Sequence, residues 1–171
     1  MEIRAYQPTD ADALWELKRG YERERSTVDG ADADPDRKLT PAYRHRYLGW
    51  VSRCAAADPD CVAVAAPGDS DDPHLDPDPD ADDLLGYALV LPQSLAMLRD
   101  AAVLSELYVP PAHRGAGVRD ELLAAALDVA RRQDLPVDRL VLDVAPVNDR
   151  ARGFYRRHGF VDRGDLLGLE L

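Results

Sequence analysis

The chain is poor in cysteine. Cys54 and Cys61 are its only two, and their separation matches neither a redox pair nor half of a usual zinc site. They read as buried free thiols, small apolar groups in a core, and no metal is implied. Lysine is equally scarce: Lys18 and Lys38 stand alone, and arginine supplies the rest of the positive charge. Long apolar runs are missing too. The longest, Leu122 to Leu127, is far too short for a bilayer span, which needs about 20 residues. Met1 to Tyr6 leads directly into a polar Pro-Thr-Asp-Ala-Asp stretch, without the basic and apolar regions of a signal peptide. The protein is therefore expected to be cytoplasmic and free of the membrane.

What abounds is acid. Asp and Glu number 32 against 21 Lys and Arg, for a net charge of -11, and aspartate heavily outnumbers glutamate. Such a field repels a nucleic-acid backbone, so no nucleic-acid partner is expected. Salt adaptation or a GC-rich genome would account for the bias. In about 1 M salt the Debye length shrinks to about 3 Å, and an acidic surface then hydrates the protein without steering distant ligands. The charge thus reads as environmental. The length of 171 residues and a hydrophobic fraction of 46% suit one domain over 1–171 with an ordinary core.

Ile3 to Tyr6 is expected to be a strand, followed by a helix to about Arg25 with turn and cap chemistry at Pro8-Thr9-Asp10. On that helix Leu14, Leu17 and Tyr21, with Trp15 beside them, form the apolar stripe, and Glu16, Lys18, Arg19, Glu22 and Arg23 are assigned to the other face. Ser26 to Lys38 reads as a loop. Thr40-Pro41 starts a second helix, with Tyr43, Tyr47, Trp50, Val51 and Cys54 on one stripe, ending near Asp58-Pro59. A strand covers Cys61 to Ala65. The Asp/Pro tract within 66–83 has too few apolar residues to offset the entropy of ordering and is expected to be a mobile acidic loop. Its Asp76 to Asp80 run is acidic, but an EF-hand needs glycine sixth and glutamate twelfth, where Ala81 and Tyr87 stand.

Strands are then expected at Leu84 to Leu91 and Val103 to Val109, a helix from Val118 to about Asp134, and a strand at Leu140 to Val144. Asn148 caps a short helix that Gly159 closes, and Val161 to Leu169 supplies a last strand. Strands interleaved with helices give a mixed α/β domain.

Between Val109 and Leu122 the order is strand, glycine turn, helix. This aims free backbone N–H groups and the positive end of a helix at one point, which suits phosphate. A Rossmann site needs a third glycine where Asp120 stands, and a Walker loop needs a Gly-Lys-Ser/Thr ending that is absent. Arg114-Gly115-Ala116-Gly117-Val118-Arg119 is similar to the Q/R-x-x-G-x-G/A loop of the GNAT superfamily of acetyl-CoA-dependent N-acetyltransferases, and Leu107-Tyr108-Val109-Pro110 is typical of the strand before it. Val147-Asn148-Asp149-Arg150-Ala151 through Phe154-Tyr155 to Gly159-Phe160 resembles that family's V-N-x-x-A-x-x-F-Y-x-x-x-G-F segment at every fixed position. Arg119 departs from the pattern, standing where the loop's last small residue belongs.

The resemblance implies a GNAT-like fold, a central mixed sheet flanked by helices, and transfer of acetyl from acetyl-CoA to a primary amine by direct attack. It also implies that Arg114, Gly115, Ala116, Gly117, Val118 and Arg119 cradle the pyrophosphate. Backbone groups of Leu107 and Val109 would hold the pantetheine arm between splayed parallel strands. Asn148 serves the cofactor or simply caps its helix. Tyr155 matches the tyrosine near the cofactor sulfur, as a general acid or as a hydrogen-bond donor. A phenol of pKa about 10 is a weaker acid than a thiol of about 8.5, so full transfer is uphill by roughly 2 kcal/mol unless the site tunes it. Glu106 is the candidate base. A carboxylate near 4.3 faces a gap worth about 8 kcal/mol against a lysine-like ammonium near 10.4, so Glu106 serves either through a water relay or as the partner of a cation. The partners are acetyl-CoA and an amine, in a monomer or homodimer whose acceptor pocket is walled by the first two helices. The other reading is an acyl-CoA-binding module that has lost the chemistry, and Arg119 is the residue that favours it.

Overall fold

The computed structural model describes residues 1–28, 38–68 and 84–164. Five strands among them, β1 (Glu2–Ala5), β2 (Val62–Ala66), β3 (Gly86–Val90), β4 (Ala102–Tyr108) and β5 (Leu140–Val141), lie in the order β1-β2-β3-β4-β5. The first four pair antiparallel, while β4 and β5 run parallel, so the sheet is mixed. Four α-helices of the described residues flank it: α1 (Ala11–Val28), α2 (Pro41–Ala57), α3 (Val118–Arg132) and α4 (Asp149–Arg157).

Side chains alternate across the sheet, as strand geometry requires, and each face has its own core. Val62, Val64, Tyr87 and Leu89 pack against α1 and α2 with Leu14, Trp15, Leu17, Tyr47 and Val51. Ala63, Ala65, Ala88 and Val90 pack on the other face against α3 and α4 with Leu122, Leu123, Ala126 and Phe154. Cys54 and Cys61 are buried free thiols, and burial pushes the Cys61 thiol up to about 12.

β4 breaks the alternation. Its partner on β3 passes from Glu106 opposite Leu89 to Leu104 opposite Val90, leaving Ser105 as a bulge. Leu104, Leu107 and Val109 therefore share the α3/α4 face, and Glu106 and Tyr108 turn to the α1/α2 face. Were Ser105 paired in regular register, Leu104 and Glu106 would point the same way.

Local chemistry sets the helix ends. The Thr40 side chain accepts from Tyr43 N–H at 3.2 Å with Pro41 in the first turn, and Asn148 accepts from Ala151 N–H at 3.0 Å. Gly159, at φ +84°, closes α4.

Several expectations are corrected. α1 extends to Val28, and Lys18 and Glu22, assigned to its solvent face, are 3% and 5% exposed. β5 spans Leu140–Val141 and not as far as Val144, because β4 and β5 part beyond Val103. Residues 161–164 form no strand, and 165–171 of the expected last strand lie outside the described residues. So do 29–37 of the expected Ser26 to Lys38 loop and 69–83 of the acidic tract.

Candidate active site

The glycine turn after β4 has the backbone its sequence demands. Gly115 and Gly117 sit at φ +89° and +80°, a region that residues with a Cβ rarely enter, and neither has any other atom within 4 Å of where a Cβ would stand. Gly117 begins α3, so the loop opens toward the positive end of a helix. The backbone N–H groups of 115–119 meet no acceptor among the described residues. This row of free donors at an exposed turn suits a pyrophosphate, which acetyl-CoA would supply together with its thioester.

The two arginines of the motif behave differently. Arg114 is turned away from the cradle: its Nε donates to the Val109 carbonyl at 2.8 Å, and its guanidinium pairs with Glu24 of α1. It braces the loop against β4 and α1. Arg119 lies inward across α4, with its guanidinium carbon 4.3 Å from the Phe154 ring centre and 5.6 Å from that of Tyr155, and its Nε is buried without a partner.

β4 and β5 pair only through Ala102 with Leu140 and Val103 with Val141. From Leu104 onward this edge of β4 is unpaired, and Leu107 and Val109 lie along it. The slot so formed is where an extended acyl carrier would add its own hydrogen bonds. Tyr155 belongs to the same face, 8% exposed, edge-on to Phe154 and Phe160 at 5.2 and 5.3 Å. Burial raises its phenol above the ordinary value, and the Arg119 guanidinium pulls it back. Asn148 spends its side-chain oxygen on the α4 cap.

Glu106 lies on the opposite face, inside a cluster of buried charge. One oxygen receives the Lys18 ammonium at 2.5 Å; the other receives the hydroxyls of Tyr87 at 2.6 Å and Tyr47 at 2.8 Å. Lys18 also bridges to Glu22 at 2.6 Å, and Lys38 reaches Glu22 at 2.7 Å. Tyr21 and Tyr47 present their ring faces to the Lys18 ammonium at 4.7 and 4.8 Å. Two carboxylates are thus balanced by two ammoniums. Burial pushes the Glu22 carboxyl up, but Lys18 and Lys38 together hold it below the usual range. Burial, reinforced by the Glu106 charge, raises the Tyr21, Tyr47 and Tyr87 phenols, so they remain donors.

Sequence reasoning named Glu106 as the candidate base and placed Tyr47 on the inward stripe of the second helix, but missed Lys18, Glu22 and Tyr87 around Glu106. One signal was available: both lysines of an arginine-rich chain meet at this cluster. A separate cavity of about 960 Å³, lined by Arg4, Asp10, Trp15 and Arg44 among others, includes neither Tyr155 nor the glycine turn.

The model of the acetyltransferase (GNAT) family matches residues 21–160, which include both the glycine turn and the Tyr155 helix. This chain is a GNAT protein. It is 31% identical to the streptothricin acetyltransferase of Streptomyces lavendulae, across 93% of this chain and 80% of that protein. The PaiA N-acetyltransferase of Thermoplasma acidophilum, solved in complex with coenzyme A, superposes with a TM-score of 0.69 at 19% identity, over 96% of this chain and 92% of that one. A ribosomal-protein-alanine N-acetyltransferase from Brucella melitensis gives 0.62 at 22% identity, over 96% and 86%. The GNAT fold expected from the two motifs is present, and with it the acetyltransferase activity of the family.

Proposed function

We propose that this GNAT protein acetylates a primary amine of a small cationic molecule of the streptothricin kind, by direct attack on acetyl-CoA. The observation that carries this reading is the convergence of the glycine turn, the unpaired edge of β4 and the Tyr155 phenol on one face of the sheet. The 31% identity to a streptothricin acetyltransferase supports the acceptor class.

In this reading the amides of Gly115, Ala116, Gly117, Val118 and Arg119 hold the pyrophosphate, and backbone groups of Leu107 and Val109 align the acyl carrier. Asn148 contributes through its cap, by fixing α4. Tyr155 donates its hydroxyl proton toward the sulfur as the thiolate departs, which lowers the cost of breaking the C–S bond. Glu106 acts as the partner of a cation, Lys18: with both oxygens engaged, its carboxylate braces the wall that α1 and α2 give the acceptor pocket and is not free to abstract a proton. The acceptor then sheds its proton to water. The chain works as one N-acetyltransferase domain, a monomer or homodimer, in a cytoplasm where its buried thiols stay reduced and its acidic surface stays hydrated at high salt.

The test is thiol release from acetyl-CoA with streptothricin, polyamines and amino-terminal peptides as acceptors. The expected outcome is turnover on the cationic small molecule, preferred over peptides by about a hundredfold in kcat/KM. Coenzyme A binding with no turnover on any amine would establish the non-catalytic alternative. Tyr155→Phe is expected to lower kcat by about a hundredfold while moving the acetyl-CoA KM little.

A further inference from the structure

Arg119 is out of place in two ways. It stands where the loop motif has a small residue, and its half-buried guanidinium has no carboxylate partner among the described residues. A buried cation without a counter-ion costs stability, and that cost is worth keeping where the cation stabilises negative charge that arises during function. Its rigid anchorage over the Phe154 ring holds it beside Tyr155, whose oxygen carries negative charge only when it gives up its proton.

We propose that Arg119 is a positioning residue that acts through Tyr155, stabilising the charge the phenol oxygen acquires as it hands its proton to the departing sulfur. The inference rests on the acid role of Tyr155. As the amine nitrogen bonds to the acetyl carbon, the carbon–sulfur bond breaks and the Tyr155 proton passes to the sulfur. The phenolate, held by the guanidinium, regains a proton from water, and the surplus proton on the new amide nitrogen leaves to water. Acetyl-CoA and amine thus become amide and free thiol.

The surroundings favour this assignment. Tyr155 lies beside Arg119 of α3 and between the rings of Phe154 and Phe160, and Tyr21 of α1 is within reach of its charge; Arg114 of the loop and Arg150 of α4 add positive charge near Arg119. The guanidinium already offsets part of the upward push that burial gives the phenol. It thereby addresses the mismatch of roughly 2 kcal/mol between a phenol and a thiol as acids.

The experiment is a double-mutant cycle on Arg119→Gln and Tyr155→Phe, read as kcat and acetyl-CoA KM across pH, with alkaline phenolate absorbance titrations of each variant. In the parent, Arg119→Gln is expected to lower kcat about tenfold with KM within about twofold, and Arg119→Lys to recover most of the loss. In the Tyr155→Phe background the same change is expected to alter kcat by less than about twofold. The one phenol absent from the Tyr155→Phe titration should ionise at higher pH in Arg119→Gln. Equal losses in both backgrounds, or a loss confined to acetyl-CoA KM as a phosphate contact would give, would overturn the proposal and leave the acid role of Tyr155 intact. A Tyr155→Phe enzyme with unchanged kcat would remove both.

Discussion

Both oxygens of Glu106 are occupied, one by the Lys18 ammonium and one by two phenols, and this decides what its substitution should do. Glu106→Gln is expected to cost about 3 kcal/mol in urea denaturation, the low end for breaking a buried pair, because Lys18 keeps Glu22. The pH–rate profile should keep its shape. A lost acidic limb, the fall in rate at low pH as a base takes up its proton, would instead mark Glu106 as the base. Lys18→Met strands two carboxylates with Lys38 as their one remaining ammonium, and a loss of about 3–5 kcal/mol is expected at neutral pH. The sign of the pH dependence distinguishes the two proteins. In the parent, Glu22 is held below its ordinary 4.5, so the stability it contributes is present above that pH and is lost as pH falls through the folded value. In Lys18→Met the stranded carboxylates favour protonation, and mild acid should restore stability, as melts at stepped pH would show.

Packing between elements is tight where β3 runs beside the end of β4. A Cβ on Gly86 would stand 2.7 Å from the Tyr108 carbonyl oxygen and about as close to Val109 and Leu122, at 3.0 and 3.1 Å. Gly86→Ala is thus expected to destabilise by about 1–3 kcal/mol and to raise the acetyl-CoA KM, since Val109 would be displaced along the edge that aligns the acyl carrier. At this scale the sequence was informative wherever the cause is local. Thr40-Pro41, Asn148, Gly117 and Gly159 carry their caps within a few residues, and the unbroken apolar runs of β2 and β3 carry their burial on both faces. What it did not reveal depends on partners far away in the chain. Lys18 and Glu106 are separated by 88 residues, so nothing local marks Lys18 as buried. The bulge at Ser105 is equally silent, since it follows from pairing with β3. The early end of β5 reflects the parting of two strands that apolar alternation alone would have kept together.

Over the whole molecule, a charge of -11 acts with opposite sign on the two substrates of the proposed reaction. It draws in a cationic acceptor and repels the anionic phosphates of acetyl-CoA, at ranges set by a Debye length of about 10 Å at 0.1 M salt. Raising salt from about 0.05 to 1 M should therefore lower kcat/KM for the amine and raise it for acetyl-CoA, with kcat nearly constant. Parallel changes in both would exclude steering as the cause. The scarcity of lysine has a further consequence for a protein that acylates amines. Besides the amino terminus, Lys18 and Lys38 carry the only ε-amines in the chain; one is enclosed by Glu22, Glu106 and two aromatic rings, and the other is 46% exposed. The protein thus offers its own acetyl donor almost nothing to modify, so assays carry little self-acylation background. For the same reason an amine-reactive fluorophore would find two places to attach, the amino terminus and Lys38, and the label on Lys38, beside the buried charge cluster, would report from there when an acceptor arrives.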